Sequence, residues 1–213
     1  MLKVRQTKSI DFEDLGLLAF NTTLNWEKDS MIFEVLEFWF DYQNNKNKGL
    51  YNRALWWQKS NAMDAAIKER FLQTHQEAIG GKLSHWLKTP QGTLAFVILL
   101  DQFSRNMMRD TPEMYAYDAI ALSASKHALE ERYDQALTLK ERAFIYMPLM
   151  HSENLDDQKQ SVELFKALLQ ETPEEDGKIA KSFLKYAQEH YDIIEKYKTH
   201  PIGNSPLQGL QVA

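Results

Sequence analysis

The chain contains no cysteine. That removes disulfides, thiolate nucleophiles and cysteine-ligated zinc in one step. It is compatible with a reducing compartment. The sequence also lacks a membrane-length apolar run. The central one, Leu94 to Leu100, has seven residues, whereas a span needs about 20. The N-terminus, Met1-Leu2-Lys3-Val4-Arg5, is basic, but the next residues are acidic and mixed, without the apolar core of a signal peptide. The expected location is therefore cytoplasmic, with no membrane partner. A basic stripe is missing too. Thirty acidic side chains outnumber 25 basic ones, the formal net charge is -5 and the pI is about 5.7. A nucleic-acid surface needs clustered cations to displace counterions, and the short Lys46/Lys48 loop is better read as a solvated turn. There is no His-Glu-x-x-His pair, Walker loop, dinucleotide-binding glycine pattern or nucleophile elbow. No cofactor and no metal are expected.

What is present is a chain of 213 residues, 44% hydrophobic and 12% aromatic, enough for one domain with a real core. Helical periodicity dominates, and no stretch alternates as a half-buried strand does. Phe33 to Phe40 is short and apolar, and fits either a strand or a buried helical turn. Asn61-Ala62-Met63-Asp64 opens a helix that stops at Gly80-Gly81. A turn around Trp86 ends at Pro90. A central helix follows from about Gln91 to Met108. Asp110-Thr111-Pro112-Glu113 signals the start of another, running to about Arg132. The next covers roughly 139–150, with Pro148 ending or kinking it. Ser152 or Asn154 caps a helix over 155–170, and a last one spans about 177–198. Pairing 61–80 with 91–108, 113–132 with 139–150 and 155–170 with 177–198 gives an all-α fold of stacked antiparallel hairpins. Successive pairs start at the spacing of helical-repeat units, without a repeated sequence signature.

Three segments together resemble a bacterial family known as domain of unknown function 924. They are Val35-Leu36-Glu37-Phe38-Trp39-Phe40, then Leu99-Leu100-Asp101-Gln102-Phe103-Ser104-Arg105-Asn106, then Tyr146-Met147-Pro148-Leu149-Met150-His151-Ser152-Glu153. The resemblance implies a tetratricopeptide-repeat-like helical fold and carries no activity with it. It places one helical domain at 31–200, an N-terminal extension at 1–30 and a loose tail at 201–213. Two local departures stand out. Ser104 occupies a position where relatives usually carry proline. The C-terminal stretch Thr199-His200-Pro201-Ile202-Gly203-Asn204 lacks the arginine of a Phe-Pro-His-Arg-Asn pattern.

The candidate site starts on the central helix. Asp101 and Arg105 lie one turn apart on or near buried surface, and a buried charge is costly unless paired. They form either a self-satisfying i,i+4 ion pair or the floor of a polar pocket. Arg109, a further turn on, suits the helix dipole or an anion. His151 and Glu153 follow the Pro148 break and fit either acid–base work or capping. His190 falls on the inward stripe of the last helix with Phe183, Ala187, Ile194 and Tyr197. Asp192 points away from it. His127 and Glu131 share one turn and read as a solvated pair. Trp56 and Trp57 cannot both face inward, so Trp57 joins the candidate wall. The expected ligand-binding set is Asp101, Arg105, Arg109, His151, Glu153, His190 and Trp57, holding a peptide, a protein or a small anionic molecule. The alternatives are a small-molecule hydrolase with a histidine base and an arginine anion clamp, or an interaction scaffold without a pocket.

Overall fold

The apolar segment before residue 41 is a helix. In α1 (Ser30–Phe40) the buried residues Ile32, Val35, Leu36, Trp39 and Phe40 recur at helical spacing, which decides between the strand and helix readings. The computed structural model describes residues 30–42, 56 and 59–198. The expectations for the extension up to residue 29, for the tail and for Trp57 lie outside the described residues. Within them every regular element is helical and none is a strand.

Ser60, one residue before the expected cap, starts α2 (Asn61–Ile79), its hydroxyl accepting from the Met63 N–H at 3.3 Å. The helix stops at Gly80, and Gly81 follows in the left-handed region at φ 74°. A 3-10 turn over Ser84–Lys88 carries the buried Trp86 into the core. Thr89 then caps α3 (Pro90–Val97), accepting from Gly92 N–H at 3.1 Å, with Pro90 as the first helical residue. Gly92 permits this tight entry. A Cβ there would lie 2.2 Å from the Trp86 carbonyl oxygen.

The central helix is not uniform. After α3 comes a π-helical turn, Ile98–Gln102, in which the Phe103 N–H reaches back five residues to Ile98 O; α4 (Phe103–Met107) completes the segment. Such turns insert an extra residue into the helical register. Every residue from Gln91 to Asp101 is buried.

The helix expected from Pro112 to Arg132 divides in two. Pro112–Tyr115 is a 3-10 turn, and α5 begins only at Asp118 and ends at Glu130. Proline sets the local φ, but contacts of Tyr115 and Asp118 with Arg105 accompany the break. Thr138 and Glu141 form a capping box at the start of α6 (Leu139–His151). Pro148 lies inside α6 and does not end it. Its missing N–H forfeits one backbone bond, while the burial of all residues from Ala143 to Met150 offsets that loss. Asn154, rather than Ser152, caps α7 (Leu155–Glu171), accepting from Asp156 N–H at 2.8 Å. The last helix, α8 (Gly177–Tyr197), buries Ala180, Phe183, Ala187, His190 and Ile194 on one stripe.

The packing is built around α3, which touches α1, α5 and α6; α2 lies on α4 and the π turn. Beyond it α5, α6, α7 and α8 pack in sequence, and α8 also returns to α6. The expected second and third hairpins therefore form. The first pairs 61–80 with the far half of the central segment. In a one-dimensional repeat array each unit meets only its neighbours, whereas here one buried segment is shared. One apolar cluster runs from Ile32 to Ala187. Edge-to-face aromatic pairs tie α1 into it, including Trp39 with Phe103 at 5.6 Å and Trp39 with Phe144 at 5.5 Å. No helix among the described residues is long and apolar enough to cross a membrane.

Candidate functional site

The π turn delivers a carboxylate into the apolar centre. Asp101 is 0% exposed. Its Oδ1 receives His151 Nδ1 at 2.7 Å and Arg105 Nη1 at 3.1 Å, and the Gln102 side-chain amide donates to its Oδ2. Arg105 Nη1 also donates to the Asp101 carbonyl at 2.6 Å. The guanidinium then grips Asp118, at the start of α5, through two bonds of 2.9 Å. The Tyr115 ring lies over it at 5.6 Å. Four side chains from the π turn, α4, α5 and the end of α6 thus share one charged network.

Electrostatics follows from this arrangement. Burial alone raises the Asp101 carboxyl, but the charge of Arg105, then that of His151, outweighs it and holds the group down at about 2. Asp118 is raised, chiefly by burial, against the pull of Arg105. Arg105 is raised: burial works against its charge, and the two carboxylates more than compensate. Because the Asp101 carboxylate is ionised, it accepts, and the proton on that contact belongs to His151 Nδ1. The other ring nitrogen, Nε2, is buried without a hydrogen-bond partner, as is Arg105 Nε. His190 from α8 faces the same imidazole, ring centroids 6.2 Å apart. Its Nδ1 donates to the Tyr186 carbonyl at 2.8 Å.

His151 is held from behind. Gln158 of α7, fully buried, donates from one amide nitrogen to the carbonyls of Met150 and Ser152, on either side of it. Ser152 bonds Asp157, which also meets Lys126 at 2.6 Å. The α6–α7 turn is therefore pinned where the imidazole leaves the helix.

Of the expected set, Asp101, Arg105, His151 and His190 come together. Arg109 does not join them. Its guanidinium closes on Asp64 of α2 at 2.6 and 2.9 Å, and Asn106 donates to the same carboxylate at 2.8 Å. Glu153 stands exposed in the α6–α7 turn. Neither arginine is left as a free anion clamp, because each is taken up by carboxylates. His127 is not a solvated partner of Glu131; its Nε2 bonds the Leu87 carbonyl at 2.8 Å and its ring meets Tyr133 at 5.7 Å. Among the described residues no three His, Asp or Glu side chains are grouped to hold a metal ion.

Sequence reading missed Asp118, Gln102 and Gln158. Only Gln102 adjoins a candidate in the chain, so no spacing rule could pair the other two with the site. It also missed His75, whose Nε2 meets Ser104 Oγ at 2.7 Å in a fully buried contact between α2 and α4. Burial pushes this imidazole down to about 4, so it is neutral near pH 7.

A family model described as bacterial protein of unknown function (DUF924) matches residues 35–210. The chain belongs to the DUF924 family. A solved structure of a protein of unknown function, ATU0120 from Agrobacterium tumefaciens, is similar to this DUF924 chain at 30% identity and a TM-score of 0.69, over 83% of this chain and 89% of that one. Comparison with curated proteins finds no match.

Proposed function

We propose that this DUF924 protein binds a small polar ligand, such as a peptide terminus, with His151 Nε2 as the contacting atom. One observation carries the reading. A buried imidazole has one nitrogen fixed by an ionised carboxylate and the other left without a partner. Each such atom costs about 1–3 kcal/mol, and this one differs from other unpartnered atoms of the chain, His75 Nδ1 among them, in lying on a ring held by an ionised carboxylate. A bound group that completes the hydrogen bond recovers that energy. Asp101 fixes the ring, Arg105 fixes Asp101 and is itself held by Asp118, and the His190 ring lies beside the imidazole. Gln102 and Asp118 are the side chains of the cluster that are partly exposed, and they form its edge to solvent.

The test is a titration followed at the His151 ring by NMR. The probes are glycinamide, ethylammonium, acetate and inorganic phosphate. Saturable movement of the His151 ring resonance with at least one probe is expected, and in His151→Asn the same probe should no longer move the signals of the neighbouring Ser152 amide and Gln102 side chain. That variant keeps an N–H for Asp101 and removes Nε2. No saturable movement with any probe rejects ligand binding at this atom and leaves the scaffold reading.

A second reading has support from the same contact. A carboxylate on Nδ1 leaves Nε2 oriented as a general base. Ester hydrolysis of p-nitrophenyl acetate that drops to background in His151→Asn supports an enzyme. Equal rates in the two proteins reject it.

A further inference from the structure

Resting on the proposed binding at His151, we infer that Lys126 is a positioning residue for that site. It acts through Asp157 and Ser152, so that α5 brackets the contact between Asp101 and His151 from both sides. The contacts run in a closed circuit. Asp101 is held by Arg105 at 3.1 Å, and Arg105 by Asp118 at 2.9 Å. Asp118 stands in the first turn of α5, and Lys126 two i,i+4 steps further along the same helix. Lys126 Nζ meets Asp157 Oδ1 at 2.6 Å, and the other oxygen of that carboxylate accepts from Ser152 Oγ at 2.7 Å. Ser152 follows His151 in the chain, and His151 Nδ1 returns to Asp101 at 2.7 Å.

Stability is not what this lysine supplies. Its side chain is 43% exposed, and ion pairs of exposed lysines contribute little. What it decides is the direction of a carboxylate. Asp157 is the third residue of α7, and its side chain is 8% exposed. A carboxylate at that position commonly reaches back to the backbone N–H of the capping residue, which here is Asn154. That N–H is taken by Ser152 Oγ at 3.1 Å instead, and the Asp157 carboxylate, drawn to Lys126, receives the Ser152 hydroxyl. Without the ammonium, the positive end of α7 is the field that remains. The carboxylate then turns back to Asn154 N–H and releases Ser152.

Gln158 fixes the same turn in a different way. Its amide nitrogen bonds the Met150 and Ser152 carbonyls, which ties the backbone on either side of His151 to α7. Lys126 ties the first turn of α7, next to Gln158, to α5. Both α5 and α7 pack on α6, and this ion pair spans from one to the other. The two halves of the Asp101–His151 contact are thus referred to one helix, Asp101 through Asp118 and His151 through Lys126. A shift of the α6–α7 turn against α5 is a shift of the imidazole against its carboxylate.

NMR signals of the full-length protein, recorded without any probe, test the bracket. Lys126→Met is expected to move the His151 ring, Ser152 amide and Asn154 amide signals, with helical content by circular dichroism unchanged. Lys126→Arg is expected to return them. Lys159→Met removes a cation near the start of α7, where Lys159 pairs with Asp156 at 3.7 Å, and is expected to leave the His151 ring signals in place. Unmoved ring signals in Lys126→Met overturn the inference. So does an equal movement in Lys159→Met, which would make the effect one of lost charge. In an Asp157→Asn background, Lys126→Met is expected to add no movement at His151; a further movement there rejects Asp157 as the relay and overturns the inference. Binding is read separately. A probe that saturates at His151 in the unaltered protein is expected to bind Lys126→Met about threefold more weakly, and Lys126→Arg as tightly as before. Equal affinity in Lys126→Met overturns the positioning role. Silence from all four probes rejects binding at His151, while the ring signals in Lys126→Met still decide whether the bracket exists.

Discussion

The imidazoles of His75 and His151 are both buried, both bonded through one ring nitrogen at 2.7 Å, and both left with the other nitrogen unpartnered. They differ in what they face. His75 meets the neutral hydroxyl of Ser104, and burial is the only force acting on its charge, so it is held down at about 4. His151 meets a carboxylate that burial would raise and that Arg105 and His151 hold at about 2. Burial thus gives an inert core histidine at one place and a histidine tied into a charged network at the other. Burial sets the cost of an ionised group, and the charge of its partner decides whether that cost is met.

The largest break in this comparison comes from removing the charge that organises the His151 side. Arg105→Ala leaves Asp101 and Asp118 buried without their cation, and should lower stability by about 3–5 kcal/mol. Urea denaturation measures it. An unchanged midpoint would mean that the network contributes no net stability.

Acid titration separates the two regions by pH. The folded-state value of His75 lies below its unfolded value of 6.5, so the unfolded chain takes up the proton first. Its contribution is complete above pH 6.5 and is lost as pH falls towards 4, by about 3 kcal/mol. Asp101 is depressed from 3.8 to about 2. Its contribution persists through the first window and is lost only between those two values, by roughly 2 kcal/mol. Two descents in stability, the upper one flattened in His75→Gln, are expected. A single descent confined to pH below 4 would show that His75 is not held neutral.

Ser104→Ala sharpens the neutral side. Removing one buried hydroxyl contact should cost about 1–2 kcal/mol, well below Arg105→Ala, because no charge is stranded. Glu153→Ala, at the exposed edge of the charged side, should stay within about 0.5 kcal/mol. A larger loss would draw Glu153 into the network.

Much of this was legible in the chain. The i, i+4 spacing of Asp101 and Arg105 in an apolar run pointed to a buried ion pair, and the pair is there. The inward placement of His190 followed from the apolar stripe of the last helix. Local signals misled where tertiary contacts outweighed them. Thr111-Pro112-Glu113 reads as a helix start, yet α5 waits until Asp118, whose carboxylate is bound by Arg105. Pro148, which reads as an end or a kink, lies inside α6, which stops at His151 within one residue of the expected end. Arg109 reads as a ligand for an anion, and Asp64, 45 positions earlier, takes it.

Sequence by itself determined the helices, most of their ends and which faces turn inward, because periodicity and capping are set by residues within a turn or two of one another. It also determined that a carboxylate and a guanidinium would have to be reconciled inside the core. Tertiary structure alone decided how. Asp118, His151 and Gln158 reach the network from three other elements, and no short-range rule links residues so far apart in the chain. The fate of each buried charge was set by which partner the packing of α3 against α5 and α6 brought within hydrogen-bond distance.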